Sequence, residues 1–271
     1  MTRLAVNAGD PGLFGTRHWH FLPRVHYTLA MALFELPRVP EPEVMDDSGE
    51  VEAYSWSAAQ AYLDKIDDTF VDHALRLLNG RERGRALDIG TGPGQIVIKL
   101  ARRLTRWKFI GVDRSPNMIA QAHANFDAAG AALAGRVEFR VADGSRLGFP
   151  DGSFDFVMCN SVLHHLEEPQ HLLSEMARLA KPGGAILLRD LRRPGRFAHP
   201  FHVRWHGRHY SGAMRKLYRD SVRAAYTLPE LQLLLDGSPL RGCAHVFEHE
   251  STHIGLERAV ARQPVAGSAS Q

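Results

Sequence analysis

Between Arg85 and Arg189, short apolar runs alternate with helical patterns, and this rhythm constrains the fold more than any other feature of the chain. Arg85–Ile89 (RALDI), Lys108–Val112 (KFIGV), Val137–Ala142 (VEFRVA), Phe154–Cys159 (FDFVMC) and Ala185–Arg189 (AILLR) read as strands. Gln95–Leu104, a segment opened by Ser115 and Pro116 and running to Ala129, and Pro169–Ala180 read as helices. Ser115 and Pro116 suit an N-cap and a first helical residue. Strands and helices in this order imply βαβ units, hence a parallel sheet covered on both faces.

Outside that stretch the pattern changes. Ser57–Leu78 predicts a helix, with Tyr62, Ile66, Phe70, His73 and Leu77 three and four residues apart, and Asn79-Gly80 to end it. Residues 1–52 are irregular, and Pro37, Pro40 and Pro42 forbid a continuous helix there. After Leu191 the rhythm breaks into a basic, aromatic, His-rich segment, 192–226. Leu228–Leu235 resumes as a helix, and strands are expected at Cys243–Glu248 and His253–Ala259. Too few residues separate the last two strands for a crossover, so they should pair antiparallel. The expectation is an α/β, doubly wound, mainly parallel seven-stranded sheet with an antiparallel last strand. An N-terminal helical segment precedes it, and an insertion separates strands five and six. The expected division is an extension or cap over 1–56, a main domain over 57–261 and a disordered tail over 262–271.

The 271 residues suffice for one such domain with a real core. Two cysteines, Cys159 and Cys243, exclude a disulfide scaffold and a Cys-rich zinc site. No apolar run reaches the ~18 residues of a membrane span; Val25–Phe34 comes nearest. The first residues lack a signal-peptide pattern, so a soluble, cytoplasmic monomer or homodimer is expected. The net charge of +3 is unevenly spread. Glu41 to Glu52 is an acidic stretch, whereas 189–223 holds ten Lys or Arg against two acids. Such a patch suggests an anionic partner or, given 28 Arg to 5 Lys overall, a compositional bias toward arginine.

The most informative run is Leu87-Asp88-Ile89-Gly90-Thr91-Gly92-Pro93-Gly94, an acid at a strand end followed by G-x-G-x-G at a strand-to-helix turn. Glycines there let a ligand approach the backbone, and the next helix aims free N–H groups at it. A dinucleotide fingerprint would require glycine where the chain has Gln95, and the Gly-Lys-Ser/Thr ending of a phosphate loop is absent. Asp113 ends the second strand, from where a carboxylate can accept both ribose hydroxyls of a nucleoside. Alternatively, Asp88 and Asp113 cap the turns that come after them.

With these residues the chain resembles the class I S-adenosylmethionine-dependent methyltransferases, over roughly residues 57–260. Val141-Ala142-Asp143-Gly144 matches the acid after strand three, Phe154-Asp155-Phe156-Val157 opens strand four, and Asn160 to Leu166 comes after it. Leu179-Ala180-Lys181-Pro182-Gly183-Gly184 precedes strand five. The resemblance implies a Rossmann-like fold and S-adenosylmethionine as cofactor. It places Asp88, Gly90, Thr91, Gly92, Gly94, Gln95, Asp113, Arg114, Met118, Asp143, Gly144 and Asn160 around that cofactor, Asp143 on the adenine amino group. A cationic sulfonium without phosphates agrees with three acids and no loop lysine.

The reaction the resemblance implies is in-line methyl transfer, driven mostly by holding the two reactants in place. His164 and His165, just past strand four, are the candidate bases, or else scaffold residues of that loop. Asn160-Ser161-Val162-Leu163 departs from the Asn-Pro-Pro-Tyr of members that methylate amide or adenine nitrogens. The insertion should cover the acceptor. Tyr62, His199, His202, Arg204, Trp205, His206, Arg208, His209 and Tyr210 are its candidate contacts, with Tyr54 and Trp56 closing the other side. A small, anionic or aromatic acceptor is expected. Pro200 and Gly207 argue against a continuous helix through the histidines, and no metal is expected. Arginines interleaved with Phe197, Phe201, Trp205 and Tyr210 would also suit single-stranded RNA. Two further possibilities are a protein that binds the cofactor without catalysis and, disfavoured by Gln95, a dinucleotide oxidoreductase.

Overall fold

The computed structural model describes residues 34–41 and 57–261. The remainder of the expected 1–56 extension, with Tyr54 and Trp56 in it, and the expected tail over 262–271 lie outside the described residues. The chain divides into two compact units, 1–35 and 36–271. The sheet and the cavity both belong to the second.

Fourteen elements carry the fold among the described residues: α1 (Ser57–Leu78), β1 (Gly84–Ile89), α2 (Gln95–Arg103), β2 (Trp107–Asp113), α3 (Pro116–Ala129), β3 (Val137–Val141), β4 (Phe154–Asn160), α4 (Pro169–Leu179), β5 (Ala180–Leu191), α5 (His199–His206), α6 (Gly212–Ala224), α7 (Leu228–Asp236), β6 (His245–His249) and β7 (His253–Arg258). The strands form one sheet in the order β3-β2-β1-β4-β5-β7-β6. β1 pairs parallel with β2 and with β4. β7 runs antiparallel between β5 and β6. The chain winds outward from β1 to β3, then returns to β1's other side with β4. The reversal leaves a crevice at the carboxyl ends of β1 and β4, where ligands of open α/β sheets bind.

The residue types explain the positions. β4 is buried along six of its seven residues, and β1 is buried over Ala86–Ile89. Helices cover both faces there, so these strands read as continuous apolar runs rather than alternations. β3 and β6 are edge strands, exposed at Glu138, Arg140, His245 and Glu248, where charge discourages pairing with another chain. The core lies in two layers. Leu87, Val157, Leu173 and Leu188 belong to one, and Phe70, Phe109, Phe156 and Leu187 to the other. Each such side chain contributes about 1.5–3 kcal/mol through burial.

Ser115 caps α3 as expected: its Oγ accepts from the Met118 N–H at 3.2 Å, with Pro116 opening the helix. Three local expectations are corrected. Lys181-Pro182-Gly183-Gly184 is not a turn before β5 but a bulge inside it, since Phe154 pairs with Ala180 and Phe156 with Ala185. Arg258 holds the bulge by donating to the carbonyls of Gly184 and Lys181. His199–His206 is helical despite Pro200, which sits in the first turn, where its missing N–H costs nothing. Residues 212–224 form a further helix that the basic composition concealed. Among the described residues no helix is long and apolar enough to cross a membrane.

Candidate functional site

A cavity of about 800 Å3 opens over the crevice. Residues 90–93 of the Gly90–Gly94 turn line it. Gly90 has φ +75°, and a Cβ there would stand 2.2 Å from Val162 Cγ2, so only glycine fits. Asp113 reaches back to this turn from the end of β2. Its Oδ2 accepts from the Gly92 N–H at 2.8 Å and its Oδ1 from the Ser115 N–H at 2.9 Å. Asp143, after β3, accepts from the N–H and the hydroxyl of Ser145. The turn-capping role and the place in the cavity wall therefore coexist in both acids.

Of the expected cofactor contacts, Asp88, Gly90, Thr91, Gly92, Gln95, Asp113, Arg114, Met118, Asp143, Gly144 and Asn160 line the cavity. Gly94 does not. A Cβ on it would meet Phe139 at 2.6 Å, so its glycine serves the packing of α2 against β3. Four further acids escaped the sequence reading: Glu167 and Glu168, just before α4, and Asp64 and Asp67, which α1 contributes to the wall. On that helix the two aspartates look like an ordinary solvated face opposite Ile66 and Phe70, and no sequence signal marks them.

The wall is acidic. Asp64, Asp67, Asp88, Asp113, Asp143, Glu167 and Glu168 line it, and among the described lining residues Arg114 is the one Arg or Lys. Burial pushes Asp88 up to about 7. Burial likewise pushes Asp67 up to about 6, with Lys99 and Arg189 pulling the other way. Burial raises Asp113 too, against the N–H groups that bond it. Hydrogen bonds from Ser145 hold Asp143 low. Such a wall favours a cation.

Arg189, wholly buried in β5, ties this wall together. Its guanidinium donates to Asn160 Oδ1 at 3.1 Å, Thr69 Oγ1 at 2.7 Å and the Ile66 carbonyl at 3.0 Å, fastening α1 to the sheet. Burial lowers its pKa to about 10. Arg193 is also interior, donating to the Ala225 carbonyl and to Glu230. Two members of the apparent basic patch are thus structural.

The two candidate bases part company. His165 lines the cavity, and burial and the neighbouring His164 push its pKa down to about 3. It stays neutral at physiological pH. His164 lies behind it, 2 % exposed, with Nδ1 at 2.6 Å from Asp190 Oδ1. Burial opposes charge on this ring, but Asp190 outweighs burial and raises the pKa, while the Asp190 carboxyl is lowered in return.

The expected acceptor contacts come together, but none of them lines the cavity. Tyr62 stacks on His209 at 4.4 Å and meets Tyr210 edge-on. Tyr218 Oη lies 3.3 Å from His202 Nε2, and the His202 and His206 rings are 4.7 Å apart. Arg208 lies over Trp205. Phe201 and Trp205 are exposed, as is Arg204, while His199 is half-buried on the same short helix.

Residues 87–188 match the family described as a methyltransferase domain. A ubiquinone/menaquinone biosynthesis C-methyltransferase from Geobacter sulfurreducens is 31% identical over 130 residues, 48% of this chain and 50% of that one. The 27-O-demethylrifamycin SV methyltransferase of Amycolatopsis mediterranei is 33% identical over 135 residues, 50% of this chain and 48% of that one. The chain thus spans about half the length of the curated relatives it matches. Among solved structures, the plantazolicin methyltransferase BpumL, in complex with a desmethyl analogue and S-adenosylhomocysteine, superposes with a TM-score of 0.61. It is 16% identical, and the match covers 80% of this chain and 91% of that one. A methyltransferase from Aquifex aeolicus gives 0.51 at 20% identity, over 80% and 95% of the two chains. At such identities these structures establish the fold.

Proposed function

We propose that this chain carries a class I S-adenosylmethionine-dependent methyltransferase domain and transfers the methyl group to a small acceptor that is neutral or cationic. The acidic cavity wall supports this reading above all. The same wall turns the expectation away from an anionic acceptor, because the arginines that suggested one lie outside the cavity or inside the core. Both curated relatives have names that specify small-molecule methylation.

The residues present fit the cofactor. A glycine turn gives its backbone access, and carboxylates at successive strand ends face a cavity without a loop lysine. When bound, the cofactor supplies an electrophilic methyl group on a cationic sulfur. Asp113, beside the Gly92 N–H, would accept the ribose hydroxyls with the lone pairs its backbone bonds leave. Asp143 stands where the adenine amino group is expected. Burial favours the neutral forms of Asp67 and Asp88, and a bound positive charge would favour their ionised forms. His165, neutral and in the wall, is suited to hydrogen-bond the acceptor and orient it rather than to act as a strong base. Positioning then carries most of the acceleration.

The test is thermal unfolding with S-adenosylhomocysteine and, in parallel, NAD. A ligand at about 100 times its Kd adds ~2.7 kcal/mol, a rise of roughly 5–10 °C for a domain of this size. A shift with the sulfur nucleoside alone is expected, followed by turnover on uncharged aromatic or amine acceptors in preference to carboxylates. A shift with NAD alone would overturn the cofactor assignment. Turnover restricted to anionic acceptors or RNA would overturn the acceptor class.

A further inference from the structure

Behind the strand ends lies a cluster of which the proposed methyl transfer uses a single member, His165. Glu41, from the segment preceding α1, meets His164 and His165 of the turn after β4, and one ligand atom from each lies within 4.8 Å of the others. His165 Nδ1 stands 3.6 Å from Glu41 Oε2, and His164 Nε2 stands 3.9 Å from it. These separations are too long for hydrogen bonds. They are a few tenths of an ångström wider than the ~3.3–3.4 Å between donor atoms that surround a tetrahedral ion at roughly 2.0–2.1 Å.

We propose that Glu41, His164 and His165 form a binding site for a divalent transition-metal ion of zinc's kind. Three features of the surroundings support it. Asp190, 2 % exposed, takes both the ring Nδ1 of His164, at 2.6 Å, and its backbone N–H, at 3.1 Å. That carboxylate–imidazole pairing turns Nε2 toward Glu41, as the outer carboxylates of metal centres orient their histidine ligands. His165 Nδ1 is buried without a hydrogen-bond partner, a costly state that an ion would relieve. The Glu41 carboxylate is itself nearly buried and is steadied by the Ser221 hydroxyl, which donates to Oε2 at 2.9 Å. The neighbouring cation, Arg38, is directed at the carbonyls of Ala224 and His164 and lies over the Tyr226 ring.

Two imidazoles and one carboxylate suit zinc and its neighbours better than calcium or magnesium. Three protein ligands leave a position open, and His165 belongs to the cavity wall. An acceptor bearing a hydroxyl is the class of molecule that position would take. That last role rests on the proposed methyl transfer, whereas binding of the ion does not.

The experiment uses the full chain, stripped with a chelator and titrated with Zn2+ and with Co2+. The expected result is one equivalent bound, with visible ligand-field absorption for cobalt. Glu41→Gln and His165→Ala should each weaken binding at least ~10-fold and abolish that absorption. S-adenosylhomocysteine binding to Glu41→Gln, measured in parallel, reports that the variant is folded and separates this proposal from the cofactor assignment. Should Glu41→Gln fail to fold, His165→Ala carries the test. Absence of stoichiometric binding, or binding that survives both substitutions at other histidines, would overturn the site.

Discussion

The Gly90–Gly94 turn and the 192–226 insertion both lie past the carboxyl ends of strands, yet they are built on different principles. The turn works through backbone geometry: a glycine that no side chain can replace, and an aspartate that bonds the Gly92 N–H from 21 positions away. The insertion works through side chains packed on one another, Tyr62 on His209 and Tyr218 beside His202. A site made of backbone must recur in nearly the same residues wherever its ligand recurs. A site made of packed side chains is free to vary, which is why one region identifies a cofactor and the other does not identify an acceptor.

Substitutions in the two regions should therefore differ in kind. Asp113→Ala should have the largest effect, raising the Kd for S-adenosylhomocysteine by about 100-fold, or ~3 kcal/mol, in calorimetric titration. An unchanged Kd would erase the distinction between the regions. Arg189→Met removes the guanidinium that fastens α1 and should lower stability by about 2–3 kcal/mol, a Tm fall of roughly 5–10 °C. An unchanged Tm would mean that α1 docks through its apolar face alone.

Asp67→Asn sharpens the comparison through pH. The Asp67 pKa lies near 6 in the folded chain against about 3.8 unfolded. Between those values the folded state holds the extra proton, so the wild type loses stability as pH rises from about 4 to 6. The cofactor-free Asn variant should match it below pH 4 and exceed it above pH 6 by about 1–2 kcal/mol, since Asp67 keeps some solvent contact. A gap that opens toward acid would reverse the assignment. The smallest effect belongs to the insertion: Phe201→Ala with Trp205→Ala should move stability by no more than about 0.5 kcal/mol and leave cofactor affinity intact. Any consequence should fall on the acceptor's KM.

Legibility in the sequence divides along the same line. The parallel strands were legible to within a few residues at most of their ends because burial on both faces makes them continuous apolar runs. Asp88, Asp113 and Asp143 were legible because a strand end and a turn fix each locally. Asp67, Arg189 and Asp190 were not. Asp67 resembles any exposed helical acid, and Arg189 resembles the first residue of a basic surface. Asp190 acquires meaning only when folding brings it to His164, 26 residues earlier in the chain. Glu41 and His165 are separated by more than a hundred residues. The α6 helix was hidden differently, since Met214, Leu217, Tyr218 and Val222 do repeat at helical spacing but sit among arginines that drew the eye to charge.

The two ends of the insertion meet. Arg192 and Tyr226 form a lone β-bridge, and the Arg193 N–H donates to the Tyr226 carbonyl at 3.0 Å. A loop whose stem is already tied can be exchanged for one of another length at little entropic cost, because the closure stays where it was. Natural selection, or a protein engineer, can therefore treat that clasp as a socket: a different segment plugged in between those two residues would leave the glycine turn and the acids of the cavity wall where they are.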